Sequence, residues 1–169
     1  LILIPENVAN NEKVPLVIDM HGIGGTMYLQ HNLTQFANLS QEHNFLVAYP
    51  QGNDNSWNMA DDLCCGDDDD FGFILKMIET IIQRYTVDES RIYSTGWSNG
   101  CGMTQRLVAQ ASEIFAAGAC SWSTRVAEQG RGGTPMAGRW RDMVAGRWRT
   151  DCRLILDAPF ETQPPPVSY

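Results

Sequence analysis

Short apolar runs alternate along the first part of the chain with segments whose apolar residues recur at helical spacing. The runs predict strands over 1–4, 15–20, 45–49, 91–95 and 115–122. The helical spacing predicts helices over 32–43, 69–85 and about 100–110, and the second of these has the most regular pattern. Alternating strands and helices are typical of the α/β class, so we expect a mostly parallel sheet with helices on both faces.

A Gly-x-Ser-x-Gly pentapeptide, GWSNG at residues 96–100, lies between the strand predicted over 91–95 and the helix that follows it. A serine in a sharp strand-to-helix turn has a strained backbone, and the two glycines make room for the neighbouring strand and helix. We therefore predict that Ser98 is a catalytic nucleophile. Such a serine needs a histidine base and an orienting acid, in the chain order serine, acid, histidine. All three histidines of the chain precede Ser98.

The glycine-rich loop HGIGG at residues 21–25 directly follows the strand predicted over 15–20. In α/β-hydrolases the loop at this position supplies one N–H of the oxyanion hole. We predict that the backbone N–H groups of Ile23 and Asn99 are the two oxyanion donors, and that His21 is a structural loop histidine. The alternative is a plain glycine-rich turn. A dinucleotide fingerprint is excluded because position 27 is methionine.

Composition and charge narrow the range of partners. The 169 residues can bury the core of one domain, although a complete α/β-hydrolase sheet usually needs a longer chain. The net charge of −8 argues against nucleic acid, and no apolar run approaches the roughly 18 residues of a membrane span. No motif requires a cofactor. Four consecutive acids at 67–70 lack the alternating ligand spacing of a calcium loop, so we predict helix capping and a solvated face there, and no metal.

The sequence changes character after about Ser123. Residues 1–122 hold 15 acidic and 5 basic residues, whereas 123–169 hold 5 and 7, and Ala-Gly-Arg-Trp-Arg occurs twice in this tail. Arg/Gly/Pro-rich sequence without an apolar face rarely builds a core. We therefore predict two parts, a partial domain over 1–122 and a tail over 123–169 that is poorly folded or foreign to the fold. A basic tail that binds an acidic partner is the alternative. Asp157 ends a short strand-like run and is a weak candidate for a triad acid.

The stretch from Val14 to about residue 122 resembles the polyhydroxybutyrate depolymerase and feruloyl esterase-like family of α/β-hydrolases. The resemblance rests on an ordered series of motifs: PLVIDMHGIGG at 15–25, VAYPQG at 47–52, SWN at 56–58, CC at 64–65, DDFGF at 69–73, and GWSNG at 96–100 with Met103. It implies a secreted, extracellular serine esterase that cleaves small or polymeric esters, with Trp57 in the substrate-binding wall. A disulfide at Cys64 or Cys65 would suit that compartment, whereas a reduced cytosolic chain is the alternative.

The family pattern continues with an HGxxD-type acid and a later histidine, and this sequence has neither. The chain also begins without methionine, as though cut within a strand. We therefore expect a fold truncated after the nucleophile half, which alone is nearly inactive because removing a triad base costs several orders of magnitude in rate. A serine peptidase of the same superfamily and a non-catalytic pseudoenzyme or interaction protein are the other two hypotheses.

The cysteines number five, so at least one is free or paired outside this chain. Cys101 lies beside the predicted nucleophile. We predict that it is a buried packing residue and not a second nucleophile.

Overall fold

The computed structural model describes residues 1–6, 12–59 and 65–121. Within these ranges the chain forms five strands, four α-helices and one short 3-10 turn at Asn53–Asn55. The strands are β1 (Ile2–Leu3), β2 (Val14–Met20), β3 (Leu46–Ala48), β4 (Val87–Trp97) and β5 (Ala117–Ser121). The helices are α1 (Met27–Thr34), α2 (Phe36–His43), α3 (Asp70–Arg84) and α4 (Asn99–Gln110).

The strands form one sheet in the order β1-β3-β2-β4-β5. All neighbouring pairs are parallel except β1 with β3, which is antiparallel. Because β2, β3 and β4 are parallel, their carboxyl ends lie at one edge of the sheet, where open α/β sheets bind ligands. This edge carries the loop that follows Met20, the loop that follows Ala48 and the turn that follows Trp97. The predicted mostly parallel α/β architecture is confirmed.

Two apolar cores cover the two faces of the sheet. On one face, β2 and β4 pack against Ile74 and Ile78 of α3 and Met103 and Leu107 of α4, all at most 2% exposed. On the other face, alternate residues of the same strands pack against α2 through Phe36. Strand β2 is buried at all seven positions, which explains why its sequence is nearly continuously apolar. The predicted covering of both faces is therefore confirmed.

The helix predicted over 32–43 is wrong in its start and in its continuity. A first helix begins earlier, at Met27, after Thr26 caps it by accepting a hydrogen bond from the backbone N–H of Leu29 at 3.2 Å. The chain then breaks at Gln35, which has a φ of 52° and ends α1 in the left-handed conformation. A second helix begins at Phe36. Apolar residues recur at helical spacing in both short helices. The sequence pattern therefore gives no sign of the single-residue break at Gln35 between them.

Several sequence-based predictions lie outside the described residues. They include the whole tail over 123–169, its repeat and Asp157 as a triad acid, as well as the cysteines at 64 and 152 and the boundary at 122. Within the described residues, none of the helices is both long and apolar enough to cross a membrane.

Candidate active site

The turn between β4 and α4 gives Ser98 an unusual backbone conformation. Ser98 follows the last residue of β4 and precedes the first residue of α4, and its φ and ψ are 54° and −115°. A positive φ in a residue with a side chain costs about 1–3 kcal/mol and persists only where the surrounding structure enforces it. Here the carbonyl of Ser98 accepts hydrogen bonds from the N–H groups of Cys101 and Gly102, at 2.9 and 3.2 Å. The GWSNG motif thus forms the sharp strand-to-helix turn that its glycines predict.

The two glycines of the motif allow contacts that no other residue permits. A Cβ atom on Gly96 would lie 2.5 Å from the carbonyl carbon and oxygen of Gly100. A Cβ atom on Gly100 would lie 2.6 Å from the carbonyl oxygen of His21, at the start of the neighbouring loop. The close approach of strand, helix and loop therefore brings Ser98 next to the segment that follows β2.

The loop over residues 21–25 is folded tightly at the same edge of the sheet. Gly24 has a φ of 74° and its N–H donates to the carbonyl of Asn55 at 2.8 Å, while the N–H of Gly25 donates to the carbonyl of Gly22 at 2.9 Å. By contrast, the N–H of Ile23, the residue before Gly24, has no hydrogen-bond acceptor within the described part of the chain. The side chain of Ile23 is 62% exposed. This amide is therefore available to an external acceptor.

The second predicted donor, the N–H of Asn99, belongs to the first residue of α4. The first amides of a helix have no acceptor within the helix, and they lie at the positive end of its dipole. A negative charge that develops beside Ser98 therefore lies at the favourable end of α4. Such helix ends bind anions in many proteins.

His21 is held by both nitrogens of its ring. Nδ1 lies 2.9 Å from the carbonyl of Gly22, and Nε2 accepts from the backbone N–H of Gly52 at 3.1 Å. These partners fit the neutral ring with its proton on Nδ1. Burial lowers the pKa of His21 from its usual value. The side chain is 1% exposed, so its environment matches the predicted structural role.

The other two histidines lie on the far side of the sheet from α4. His31 is in α1 and His43 is in α2, and these helices pack on the face opposite α3 and α4. Within the described residues, the side chain of Ser98 has no hydrogen bond to any histidine. The structure therefore brings the candidate nucleophile next to the candidate oxyanion loop, and among the described residues no histidine is bonded to the side chain of Ser98.

Trp57, which the family resemblance places in the substrate wall, is completely buried at 0% exposure. Its indole Nε1–H donates to the carbonyl of His21 at 2.8 Å. Its ring lies 4.8 Å, centroid to centroid, from the imidazole of His21. This environment favours a packing role, and a contact between Trp57 and substrate stays a prediction.

The side chain of Asn99 has a role that the sequence analysis missed. Its Oδ1 accepts from the backbone N–H of Trp57 at 2.7 Å, and its Nδ2 donates to the carbonyl of Trp57 at 2.9 Å. The two bonds pair a side-chain amide with a backbone unit, as neighbouring strands do. Asn99 is 4% exposed, and burial of so polar a side chain requires partners of this kind. The sequence signal is a polar residue beside the serine of the elbow, but its partner lies 42 residues away.

Of the four acids at 67–70, the first three are exposed to solvent and the fourth, Asp70, is buried. Asp69 caps α3, as predicted, by accepting from the N–H of Gly72 at 2.8 Å. Asp70 is not part of a solvated face: it is 5% exposed and accepts from the backbone N–H of Asn58 at 2.7 Å. Burial raises the pKa of Asp70. In the ranges the structure describes, no group of three His, Cys, Asp or Glu residues could hold a metal ion.

Cys65 and Cys101 are each disulfide-bonded. Cys101 is also completely buried, so the predicted packing position is observed, whereas its disulfide was not predicted. Cys65 has a φ of 79° and its sulfur lies 3.7 Å from Nδ2 of Asn99. One of the two disulfide-bonded cysteines therefore lies beside the side-chain amide of Asn99.

A buried carboxyl group on β2 was also missed. Asp19 is 0% exposed, and it accepts hydrogen bonds from Nε2 of Gln30 and Oγ1 of Thr34, both at 2.7 Å. Burial raises its pKa from 3.8 to about 7, although these two bonds act in the opposite direction. Asp19 stands two residues before His21 and ties β2 to α1. An acid within an apolar run is the signal that could have revealed it.

Several known proteins with related sequences are esterases. Acetylxylan esterase A of Emericella nidulans is 29% identical over 121 residues, which are 69% of this chain and 39% of that protein. Feruloyl esterase B of Neurospora crassa is 31% identical over 120 residues, which are 69% of this chain and 40% of that protein. This chain thus spans about 40% of the length of these curated relatives. The model of the prolyl oligopeptidase family matches residues 66–124.

Solved structures give the same fold. A thermostable esterase superposes with a TM-score of 0.60 at 27% identity, over 71% of this chain and 36% of that one. An acetyl xylan esterase from Aspergillus awamori superposes with a TM-score of 0.58 at 20% identity, over 92% of this chain and 63% of that one. The second likeness supports the fold alone.

Proposed function

Because the chain belongs to an esterase-like family of α/β-hydrolases, we propose that it is the nucleophile-bearing part of a serine carboxylic-ester hydrolase. The observation that carries this proposal is the backbone of Ser98. It has a φ of 54° in a turn that two glycines make sterically possible, beside a loop whose Ile23 amide has no acceptor in the described residues. Strain of this kind is typical of functional positions.

In the proposed reaction, Oγ of Ser98 attacks the ester carbonyl carbon and its proton passes to a base. The carbonyl oxygen becomes an oxyanion, which accepts hydrogen bonds from the N–H groups of Ile23 and Asn99. Loss of one such donor costs about 2.7–4 kcal/mol of transition-state stabilisation in other hydrolases. The tetrahedral intermediate then collapses, the alcohol leaves with a proton, and water releases the acid from Ser98.

The base is not His21, because both of its ring nitrogens are bonded within the loops at the sheet edge. No histidine follows Ser98 in these 169 residues. We therefore propose that the chain alone turns over esters very slowly. Absence of a triad base lowers the rate by several orders of magnitude and leaves what binding and the oxyanion hole supply.

The relatives support the proposed substrate class, and the disulfides support the proposed location. Their names include acetylxylan and feruloyl esterases, so the proposed substrates are small or polymeric esters of carboxylic acids. The disulfides of Cys65 and Cys101 support an extracellular location, since disulfides persist in oxidising compartments. A polyester of the polyhydroxybutyrate type stays a prediction.

A serine peptidase is the second candidate, and the match of residues 66–124 to the prolyl oligopeptidase family favours it. The elbow and the oxyanion donors would serve either reaction. The two differ in the leaving group, which is an alcohol in one case and an amine in the other.

The experiment compares ester and amide hydrolysis by the 169-residue chain in the presence of imidazole, which can replace a missing base. We expect p-nitrophenyl acetate to be hydrolysed faster than a peptide p-nitroanilide, with the enzyme-dependent rate rising with imidazole and absent in Ser98→Ala. Preference for the anilide would favour the peptidase. Equal rates in wild type and Ser98→Ala would contradict both and favour a non-catalytic protein.

A further inference from the structure

The segment over residues 51–58, here called the brace, contacts both elements that carry the proposed oxyanion donors. On one side it bonds the loop over 21–25 at four points, one of which joins Nε2 of Gln51 to Nε2 of His21 at 3.2 Å. The N–H of Gly52 donates to Nε2 of His21, the carbonyl of Asn55 accepts from Gly24, and the indole of Trp57 donates to the carbonyl of His21. These distances are 3.1, 2.8 and 2.8 Å. The loop of Ile23 is thus attached to the brace before and after the Ile23 amide.

On the other side the brace bonds the nucleophile turn through one residue. Both polar groups of the Trp57 backbone are bonded to the side-chain amide of Asn99, at 2.7 and 2.9 Å. Trp57 therefore contacts the two donor elements at once, with its indole on the loop of Ile23 and its backbone on Asn99. It is completely buried, so water cannot substitute for these bonds.

The carboxyl-terminal end of the brace, at Asn58, is hydrogen-bonded to α3 and α4, which pack on one face of the sheet. The N–H of Asn58 donates to the buried carboxylate of Asp70 in α3 at 2.7 Å. The carbonyl of Asn58 accepts a hydrogen bond from the guanidinium of Arg106 in α4 at 2.9 Å. Bonds to charged groups are stronger than those between neutral groups, so this end is firmly held. The brace is thus bound by hydrogen bonds to the loop, the turn and both helices.

We infer that Trp57 is a positioning residue, which fixes the amide of Ile23 relative to the amide of Asn99 in the proposed oxyanion hole. The inference rests on the proposed function. Catalytic donors must be held within about 0.5 Å by groups that are themselves locked in place. A misplacement of about 1 Å can reduce a rate roughly a hundredfold. The indole N–H of Trp57 is the bond that joins the brace to the carbonyl of His21, two residues before Ile23.

The test compares Trp57→Phe, which removes the indole N–H but keeps an aromatic ring, with Tyr49→Phe as a matched control. Tyr49 is also fully buried, and it belongs to the core on the opposite face of the sheet. The readout is the reaction of Ser98 with a fluorophosphonate in the presence of imidazole. In this reaction Oγ of Ser98 forms a bond to phosphorus, fluoride leaves, and the serine proton passes to imidazole. The remaining phosphonyl oxygen occupies the oxyanion position.

In wild type we expect the adduct to shift the NMR resonances of the Ile23 and Asn99 amides. In Trp57→Phe the labelling rate should fall by about ten- to a hundredfold, and the Ile23 shift should be reduced while the Asn99 shift persists. Tyr49→Phe should retain both shifts and a rate within about twofold of wild type. If Trp57 had a purely structural role, Trp57→Phe would instead change the shifts of both amides together, or the shift of neither.

Three outcomes in these proteins would overturn the inference, and the first is an equal change of both amide shifts in Trp57→Phe. Wild-type rate and wild-type shifts in Trp57→Phe would show that the indole bond positions nothing. Absence of any Ser98 adduct in wild type would overturn the proposed function and the inference with it. If Trp57→Phe does not fold, Asn99→Asp decides instead, because it loses the donor to the carbonyl of Trp57. The amide at position 99 should then lose its shift, and a wild-type response would contradict the inference.

Discussion

Replacing Asp19 by asparagine should change how the stability of the protein depends on pH. The carboxyl group of Asp19 is completely buried, and burial raises its pKa from 3.8 to about 7. Below pH 3.8 the group is protonated in both the folded and the unfolded chain. Between pH 3.8 and 7 it ionises first in the unfolded chain, so the free energy of unfolding falls as pH rises. Above pH 7 it is ionised in both states and the loss is complete.

The size of the effect follows from the shift of about 3 units in the pKa of Asp19. Each unit corresponds to about 1.4 kcal/mol, so the buried charge costs about 4 kcal/mol above pH 7. Asparagine does not titrate. The free energy of unfolding of Asp19→Asn, relative to wild type, should therefore rise by about 4 kcal/mol between pH 4 and pH 8. Burial, with a smaller effect of the Asp19 charge, raises the pKa of Tyr49 to about 12, so Tyr49 stays neutral over this range.

The assay is urea unfolding of both proteins at intervals between pH 4 and pH 8. Thr34→Val serves as a control, because the hydroxyl of Thr34 donates to Asp19 and lowers its pKa. Loss of this hydroxyl should raise the pKa of Asp19 further. The free energy of unfolding should then go on falling to a higher pH than in wild type. A difference in the free energy of unfolding between Asp19→Asn and wild type that stays constant from pH 4 to pH 8 would show that burial does not raise the pKa of Asp19.

Three further predictions concern the nucleophile turn, the start of α3 and the disulfides. Gly96→Ala should lose at least about 2 kcal/mol of stability in thermal unfolding, because its Cβ would lie 2.5 Å from backbone atoms four residues on; a fully stable variant would contradict the turn geometry. Asp69→Ala should cost about 1 kcal/mol as a lost helix cap, whereas the exposed Asp67→Ala should change stability by less than about 0.5 kcal/mol in urea unfolding. Cys65 and Cys101 should resist iodoacetamide in denaturant until a reductant is added, as read by mass spectrometry, and alkylation without reductant would refute their disulfides.

The parts of the fold that could be predicted are those whose pattern is local. Strand β2 is apolar because it is buried on both faces, and α3 carries a regular apolar face, so both were recognised close to their true bounds. The error at 32–43 arose because the left-handed conformation of Gln35 leaves no mark in the apolar spacing. The backbone N–H of Gln35 donates to the carbonyl of His31 at 3.2 Å, a bond that no apolar pattern records.

In the candidate site, too, the local motifs could be predicted from the sequence, whereas the contacts between distant residues could not. Ser98 and the glycine-rich loop could be identified because their motifs encode a backbone shape, which the structure contains. The side-chain bonds of Asn99 to Trp57 and of Asp70 to Asn58 join residues 42 and 12 positions apart. Such pairs are brought together by the sheet and not by any local pattern. For this reason the sequence does not predict the hydrogen bonds of Trp57, and its contact with substrate, which the family resemblance implies, stays a prediction.

We propose Ser98 as the nucleophile of the esterase, and this assignment can be tested by covalent labelling. The most direct measurement is mass spectrometry of the chain after treatment with a fluorophosphonate and imidazole, with peptide mapping of the labelled site. We expect one adduct, on Ser98, that is lost in Ser98→Ala and kept in Ser94→Ala, whose serine is buried at 0% exposure. Absence of an adduct on Ser98, or labelling that persists in Ser98→Ala, would contradict the account.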